Sequence, residues 1–211
     1  MSLTRERVLT GAMTLADEVG IEAFTIRKLA AALDVKPMTI YHHVPSKEQI
    51  LDGMVDIVFG EIALPPEDLP WEEAIRVRCR SMREVLKRHW WAPPLMESRS
   101  DPGPLSLRHH DKVIGCLLRG GLSIQITAHA YAILDSYLYG FALEEVNLPE
   151  GGTKDIVPLA EALAPMFEPY PNLYRFTVEH VLQPGYSFGN SFEFGLDLII
   201  SGLQEAAQRE S

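Results

Sequence analysis

Apolar residues recur along this chain at intervals of three and four positions. No stretch alternates apolar with polar for long enough to make a strand, so the pattern predicts an all-α protein. A first helix is expected to begin after Thr4 as N-cap and to end at Val19. It turns Val8, Ala12, Leu15, Ala16 and Val19 inward, with Gly20 as a left-handed exit. A second helix, of about two turns, begins after Thr25, whose hydroxyl can cap the N–H of Arg27 or Lys28; it buries Ile26, Leu29, Ala30 and Leu33. Asp34, Val35 and Lys36 form a tight connection in which Asp34 tolerates left-handed backbone. Pro37 suits the first position of a third helix, Pro37 to His43, because the N–H it lacks would be unpaired there anyway. Ile40 and Val44 turn inward, which leaves Lys36, Met38, Thr39, His42 and His43 with no core role.

The run Ser46-Lys47-Glu48-Gln49 is an S-x-x-Q capping box and opens a fourth helix. Its apolar face is Ile50, Leu51, Met54, Val55, Val58 and Ile62, and Pro65-Pro66 stops it. The proline-rich stretch from Pro65 to Pro70 is the natural boundary between modules. Beyond it the periodicity predicts helices over Trp71 to Trp90, Leu105 to Gly120, Ile124 to Val146, Val157 to Phe167 and Phe188 to Arg209. Asn147 to Asp155 and Gln183 to Asn190 are rich in turn formers and are expected as mobile connections. The expected organisation is a small module over 1–47, a connecting helix over 48–64 and a larger helical domain over 71–211.

Composition sharpens this picture only when it is resolved along the chain. The 211 residues are 46% hydrophobic and 23% charged, as a globular protein requires, and carry a net charge of −10, which argues against a uniformly basic nucleic-acid coat. Yet Thr25 to Lys47 holds Arg27, Lys28, Lys36 and Lys47 against the single acid Asp34. The acidity belongs to the larger domain. The start of the chain has no long apolar run, and the apolar stretch Ala128 to Leu143 is short and broken by Asp135, so a cytoplasmic protein without a membrane contact is expected. Cys79 and Cys116 lack metal-ligand spacing and read as reduced, half-buried thiols.

Two short helices joined by a three-residue turn, the second presenting polar side chains, fit either a helix-turn-helix, whose second helix enters the major groove of DNA, or an ordinary three-helix cap with a solvated face. The segment has donors for phosphate in Thr25, Thr39, Tyr41 and His43, together with the free N–H groups of two helix starts. The runs Val19-Gly20-Ile21-Glu22-Ala23-Phe24-Thr25-Ile26-Arg27-Lys28-Leu29-Ala30, Leu33-Asp34-Val35, Thr39-Ile40-Tyr41-His42-His43-Val44 and Ser46-Lys47, with Leu51, resemble the DNA-binding module of the tetracycline-repressor (TetR) family. More weakly, Phe192 to Leu203 is similar to that family's last helix, and Gly140 to Glu144 to its central ligand-domain helix.

The resemblance implies a homodimer that reads a palindromic DNA operator and is released by a small-molecule effector, most simply as a repressor. It implies that Arg27 meets a base edge or phosphate, that Pro37 and Met38 face bases, and that Thr39, Tyr41, His43 and Lys47 hold phosphates, with His42 between the two roles. Thr25 and Lys36 complete the expected DNA-contacting set. The namesake of the family has Gln and Thr where this chain has Pro37 and Ile26, so a different operator is expected. The resemblance also implies a dimer interface in the Phe188 to Arg209 region.

Met96 stands where the namesake has a magnesium-ligating His, although Glu144 matches a carboxylate near that metal. Its pocket Asn and Phe fall on Arg78 and Met82. Without the imidazole a metal chelate is not an expected effector, and no metal or other cofactor is implied. Arg78, Met82, Trp91, Met96, Tyr131 and Tyr137 are instead expected to line a mostly apolar, aromatic cavity, with Trp90 nearby. Two other motifs carry less. Gly185-Tyr186-Ser187-Phe188-Gly189 fits the G-x-S-x-G of hydrolases but lacks the strand that must feed it, so no catalytic residue is expected. Adjacent residues on a helix diverge by about 100°, so His109-His110-Asp111 makes a poor metal site and reads as solvated surface. An apolar-ligand carrier or structural dimer with a vestigial DNA module is disfavoured, because Arg27, Thr39, Tyr41, His43 and Lys47 are all chemically competent.

Overall fold

A computed structural model of the chain describes residues 3–99, 101–148 and 156–210, and among them there is helix but no strand. The helices run in the order α1 (Arg5–Val19), α2 (Ile26–Ala32), α3 (Pro37–Tyr41), α4 (Lys47–Glu61), α5 (Trp71–Arg88), α6 (Ala92–Ser98), α7 (Pro104–Arg119) and α8 (Ile124–Asn147). They continue with α9 (Ile156–Phe167), α10 (Pro171–Phe176), which runs into a π-helical turn over Thr177–Val181, and α11 (Ser191–Glu210), which follows a 3-10 turn at Phe188–Asn190. The residues fall into two compact units, Met1–Ala132 and Ile133–Ser211. No helix among the described residues is long and apolar enough to cross a membrane.

Side-chain caps start three of the first four helices. The hydroxyl oxygens of Thr4, Thr25 and Ser46 accept from the N–H groups of Arg7, Lys28 and Gln49 at 3.2, 3.2 and 3.1 Å, so orphan donors of each first turn are paired. Val8, Ala12, Phe24, Leu29, Ala30, Ile40, Val44, Ile50 and Met54 are buried, and they form the core of the small N-terminal module. Helix α4 continues beyond that core with Val58, Phe59 and Ile62 buried.

The polar side of α4 anchors the end of α6 and the start of α7. Asp52 Oδ1 accepts from Arg99 Nε at 2.6 Å, and Asp56 Oδ1 accepts the Ser106 N–H at 2.9 Å, in the first turn of α7. The Asp56 carboxylate lies so close to Gly103, the N-cap of α7, that a Cβ there would stand 2.3 Å from its carboxyl carbon. A side chain at this position would force the Asp56 carboxylate to shift.

The second unit is organised by aromatic rings. Tyr137 stacks on Phe192 with centroids 5.8 Å apart and donates its hydroxyl to the Phe192 carbonyl at 2.9 Å, fixing α8 to the start of α11. Phe141 packs on Phe188 and Phe192 at 4.7 and 5.2 Å. On α11, Phe192, Leu196, Ile200 and Leu203 are buried, while Phe194 and Leu198 are 68% and 60% exposed one turn apart.

Several sequence expectations are corrected. Helix α3 stops at Tyr41 rather than His43, and α4 stops at Glu61, short of Pro65. Val19, Ile26 and Leu33 are only half-buried, whereas both cysteines are fully buried. Gly20 has φ 73° but ψ 168°, an extended exit open to glycine alone, not the left-handed helical conformation. A Cβ there would meet the Trp90 ring at 2.5 Å. Helices α6 and α10 were not expected; Pro93 and Pro171 sit in their first turns, where no N–H is needed. Of the turn-rich segment Asn147 to Asp155, residues 149–155 lie outside the described residues.

Candidate functional site

The turn between α2 and α3 is built from backbone hydrogen bonds. The Asp34 N–H donates to the Ala31 carbonyl at 3.2 Å and the Val35 N–H to the Ala30 carbonyl at 2.9 Å, the double closure of a Schellman motif. The motif needs a left-handed residue between them, and Asp34 supplies φ 53° where glycine is usual. The chain re-enters helix at Pro37, the first residue of α3, after Lys36 as an extended N-cap.

Ile40 on α3 is fully buried, which directs the opposite side outward: Met38 is 68% exposed, Lys36, Pro37 and His42 are exposed with it, and the half-buried Thr39, Tyr41 and His43 flank them. Thr25 at the start of α2 is exposed as well. Lys47, the first residue of α4, donates to the Phe24 carbonyl at 3.3 Å and lies 5.8 Å over the Phe24 ring. One of its three N–H donors is thus used to tie the start of α4 to the residue before the α2 cap, and two remain available. The surface that results is a short helix with an apolar tip, flanked by hydroxyls, imidazoles and a positioned ammonium.

A clasp joins this module to the α5–α6 turn. Asp17 of α1 accepts at Oδ1 from His89 Nδ1 at 2.7 Å and from Trp91 Nε1 at 2.6 Å, and its backbone carbonyl accepts from Trp90 Nε1 at 3.2 Å. His89 Nε2 lies 3.1 Å from Glu61 Oε2 at the end of α4, which Arg88 also reaches at 2.8 Å. Burial raises the Glu61 pKa, but the hydrogen bonds and charges of Arg88 and His89 outweigh it and leave the carboxyl below its ordinary range.

The residues expected around an effector are distributed unevenly. Arg78 and Met82 stand one turn apart on α5, both fully buried. Arg78 Nε donates to His109 Nε2 at 3.1 Å, and the Tyr131 hydroxyl makes a short hydrogen bond with His110 Nδ1. Met96 is buried, and Trp91 is buried with its polar edge committed to Asp17. Tyr137 belongs to the second unit, where its hydroxyl is engaged by the start of α11.

Sequence reasoning missed the two histidines of α7. His109 is fully buried, not solvated; burial, then the Arg78 charge and His110, push its pKa down to about 3. His110 is half-buried, between Ser106 Oγ at 3.2 Å from its Nε2 and Tyr131, and only Asp111 of the trio is exposed. The signal was present: His109 falls on one stripe with Ser106, Val113, Cys116 and Leu117, all buried. Ser187 of the G-x-S-x-G match lies between turns and a 3-10 helix, without a feeding strand.

Comparison with known proteins decides what this scaffold is. Residues 8–54 match the model of bacterial regulatory proteins of the tetR family, and residues 64–207 match the tetracyclin repressor-like C-terminal domain. The chain belongs to the TetR family. An HTH-type transcriptional regulator of Saccharopolyspora erythraea is 30% identical over 99% of this chain and 87% of its own length. An HTH-type transcriptional repressor of Streptomyces coeruleorubidus is 30% identical over 96% of this chain and 78% of its own length. Among solved structures, the TetR family protein ActR of Streptomyces coelicolor superposes in its apo form with a TM-score of 0.82 at 26% identity, all of both chains being covered. Its complex with actinorhodin gives 0.81 at 27% identity, covering 98% of this chain and 99% of that one. This TetR-family chain is therefore a transcriptional regulator, and the families and relatives it matches are regulators, not enzymes. Members of the family bind DNA operators and small-molecule effectors as dimers.

Proposed function

We propose that this regulator binds a palindromic operator as a homodimer and represses until an effector releases it. The observation that carries the reading is the pairing of the Asp34 turn with α3: a hydrogen-bonded, left-handed corner holds a recognition helix whose inner residue, Ile40, is buried and whose outer residues, Pro37 and Met38, face away from the core. Pro37 and Met38 offer apolar contact to a base edge such as the thymine methyl, and Arg27 offers bidentate donors to guanine. Thr25, Lys36, Thr39, Tyr41, His42, His43 and Lys47 hold the flanking backbone, which fixes register without reading sequence. The working division is 1–47 for DNA, 48–64 as connecting lever, and 71–211 for effector and dimer contacts. The exposed Phe194 and Leu198 of α11 fit a self-complementary interface in the Phe188 to Arg209 region. The protein works in the cytoplasm, where its operator is.

The effector is a small, mostly apolar or aromatic molecule held near Arg78, Met82, Met96 and Tyr131, with Trp91 as the outer member of the set. The complex of ActR with actinorhodin supports this class. Release is a shift of population: the effector binds better to a dimer whose two recognition helices no longer match half-sites about 34–36 Å apart. Helix α4 is the lever, because its first residue, Lys47, lies in the DNA module and its later residues, Asp52, Asp56 and Phe59, touch Arg99, Ser106 and His109.

A fluorescence-anisotropy titration with the DNA upstream of the gene tests the proposal. Tighter binding there than to scrambled DNA at physiological salt is the expected result; equal binding overturns it.

A further inference from the structure

In a neutral imidazole one nitrogen carries a proton and the other is bare, so the partner of one nitrogen settles the state of its sibling. For His109 the partner is Arg78. Its Nε–H can only donate, and it reaches His109 Nε2 at 3.1 Å. Nε2 is therefore the acceptor and the single proton resides on Nδ1. Burial keeps a second proton off the ring at neutral pH, with the Arg78 charge acting in the same direction.

The Nδ1–H is thus a donor on a fully buried side chain, and it has no hydrogen-bond partner among the described residues. Buried donors are almost always paired, because leaving one without an acceptor forfeits its hydration for nothing. The neighbouring polar groups do not fill the role, since His110 is bonded to Ser106 Oγ and to the Tyr131 hydroxyl. The Phe59 ring also lies near, 5.4 Å away between centroids. No described residue supplies the acceptor; a ligand can, and the surface it arrives with should be flat and apolar to suit Phe59.

We propose that His109 is the polar anchor of the effector site and that its Nδ1–H selects aromatic effectors bearing a carbonyl oxygen. The proposal rests on the effector reading of this cluster given above. A ligand that places a donor at the same point sets two hydrogens against each other and is rejected.

Fluorenone and fluorene test it, because they share one flat tricyclic shape and differ in a carbonyl oxygen. Histidine nitrogen NMR of the full-length protein reports the tautomer first: a protonated Nδ1 and a bare Nε2 at neutral pH are expected, and the opposite assignment overturns the proposal. Fluorenone should then bind about tenfold tighter than fluorene and move the His109 Nδ1 signal. In His109→Phe the preference should vanish. If both probes bind with equal affinity and both perturb His109, the acceptor assignment fails while the effector site stands. If neither probe perturbs His109 at saturation, the effector reading of this cluster fails, and the proposal with it. Should His109→Phe not fold, the tautomer and the affinity ratio of the unmutated protein decide.

Discussion

One carboxylate oxygen of Asp17 holds the indole N–H of Trp91 at 2.6 Å and, at the same time, the imidazole of His89 at 2.7 Å. A residue of the first helix thereby fixes two side chains that lie more than seventy positions later in the sequence. Asp17→Ala leaves both donors without an acceptor and is expected to lower unfolding stability by about 1–3 kcal/mol. Because the Trp91 contact runs through the same oxygen, Asp17→Ala and Trp91→Phe should be non-additive by about 1 kcal/mol in urea denaturation at fixed protein concentration. Strict additivity would show that the clasp carries no energy.

Acid is expected to weaken the fold above the range where carboxylates protonate. His109 keeps a pKa of about 3 in the folded chain against 6.5 for the free side chain. The folded value is depressed, so the unfolded chain binds the proton first. Stability is complete above about pH 6.5 and falls as the pH drops towards 3. Between about pH 5 and 6 this single group contributes a slope of about 1.4 kcal/mol per pH unit. Glu61, whose folded pKa is lowered from 4.5, adds its loss only below that value. Chemical denaturation of His109→Phe should show a slope smaller by one proton in the higher window; an identical slope would refute the assignment.

At Asp34 the backbone, not the carboxylate, is what the turn requires. Asp34→Gly is expected to stay within about 0.5 kcal/mol of the parent, whereas a β-branched residue forced to the same positive φ costs about 1–2 kcal/mol. Thermal unfolding of Asp34→Gly and Asp34→Val makes the comparison. A valine as benign as glycine would mean that the corner relaxes without penalty.

Operator affinity should fall with salt along a line whose slope counts phosphate contacts. Lys47→Ala removes one such contact and is expected to make the slope shallower by about one unit. The slope separates this role from the tie to the Phe24 carbonyl, since losing that tie changes affinity at every salt concentration alike. An unchanged slope would assign Lys47 to positioning alone.

The DNA module was legible because each local signal agrees with its neighbours. Thr4, Thr25 and Ser46 cap, Asp34 turns, Pro37 restarts, and Ile40 and Val44 point into the core. The rest of the first unit was less legible where polarity and burial part company. Helix α7 keeps Ser106 and His109 inside while Leu105, Leu107 and Leu118 are exposed, so residue polarity alone misassigns these positions even though Val113, Cys116 and Leu117 mark the buried stripe. Arg78 is equally concealed, being a fully buried charge on a helix otherwise rich in charged residues that lie outside its core stripe. Helices α6 and α10 were hidden by prolines that start helices as readily as they break them.

On the proposed reading, Met38, 68% exposed beside Pro37, meets its base with a thioether and no polar group. A thioether on a flexible stem leaves no polar group stranded when the base opposite it changes, and it can bend to meet a different methyl. Errors at that base pair should therefore be forgiven rather than punished. A regulator that reads DNA in this way is expected to tolerate drift in its operator and to bind imperfect sites in graded order of affinity.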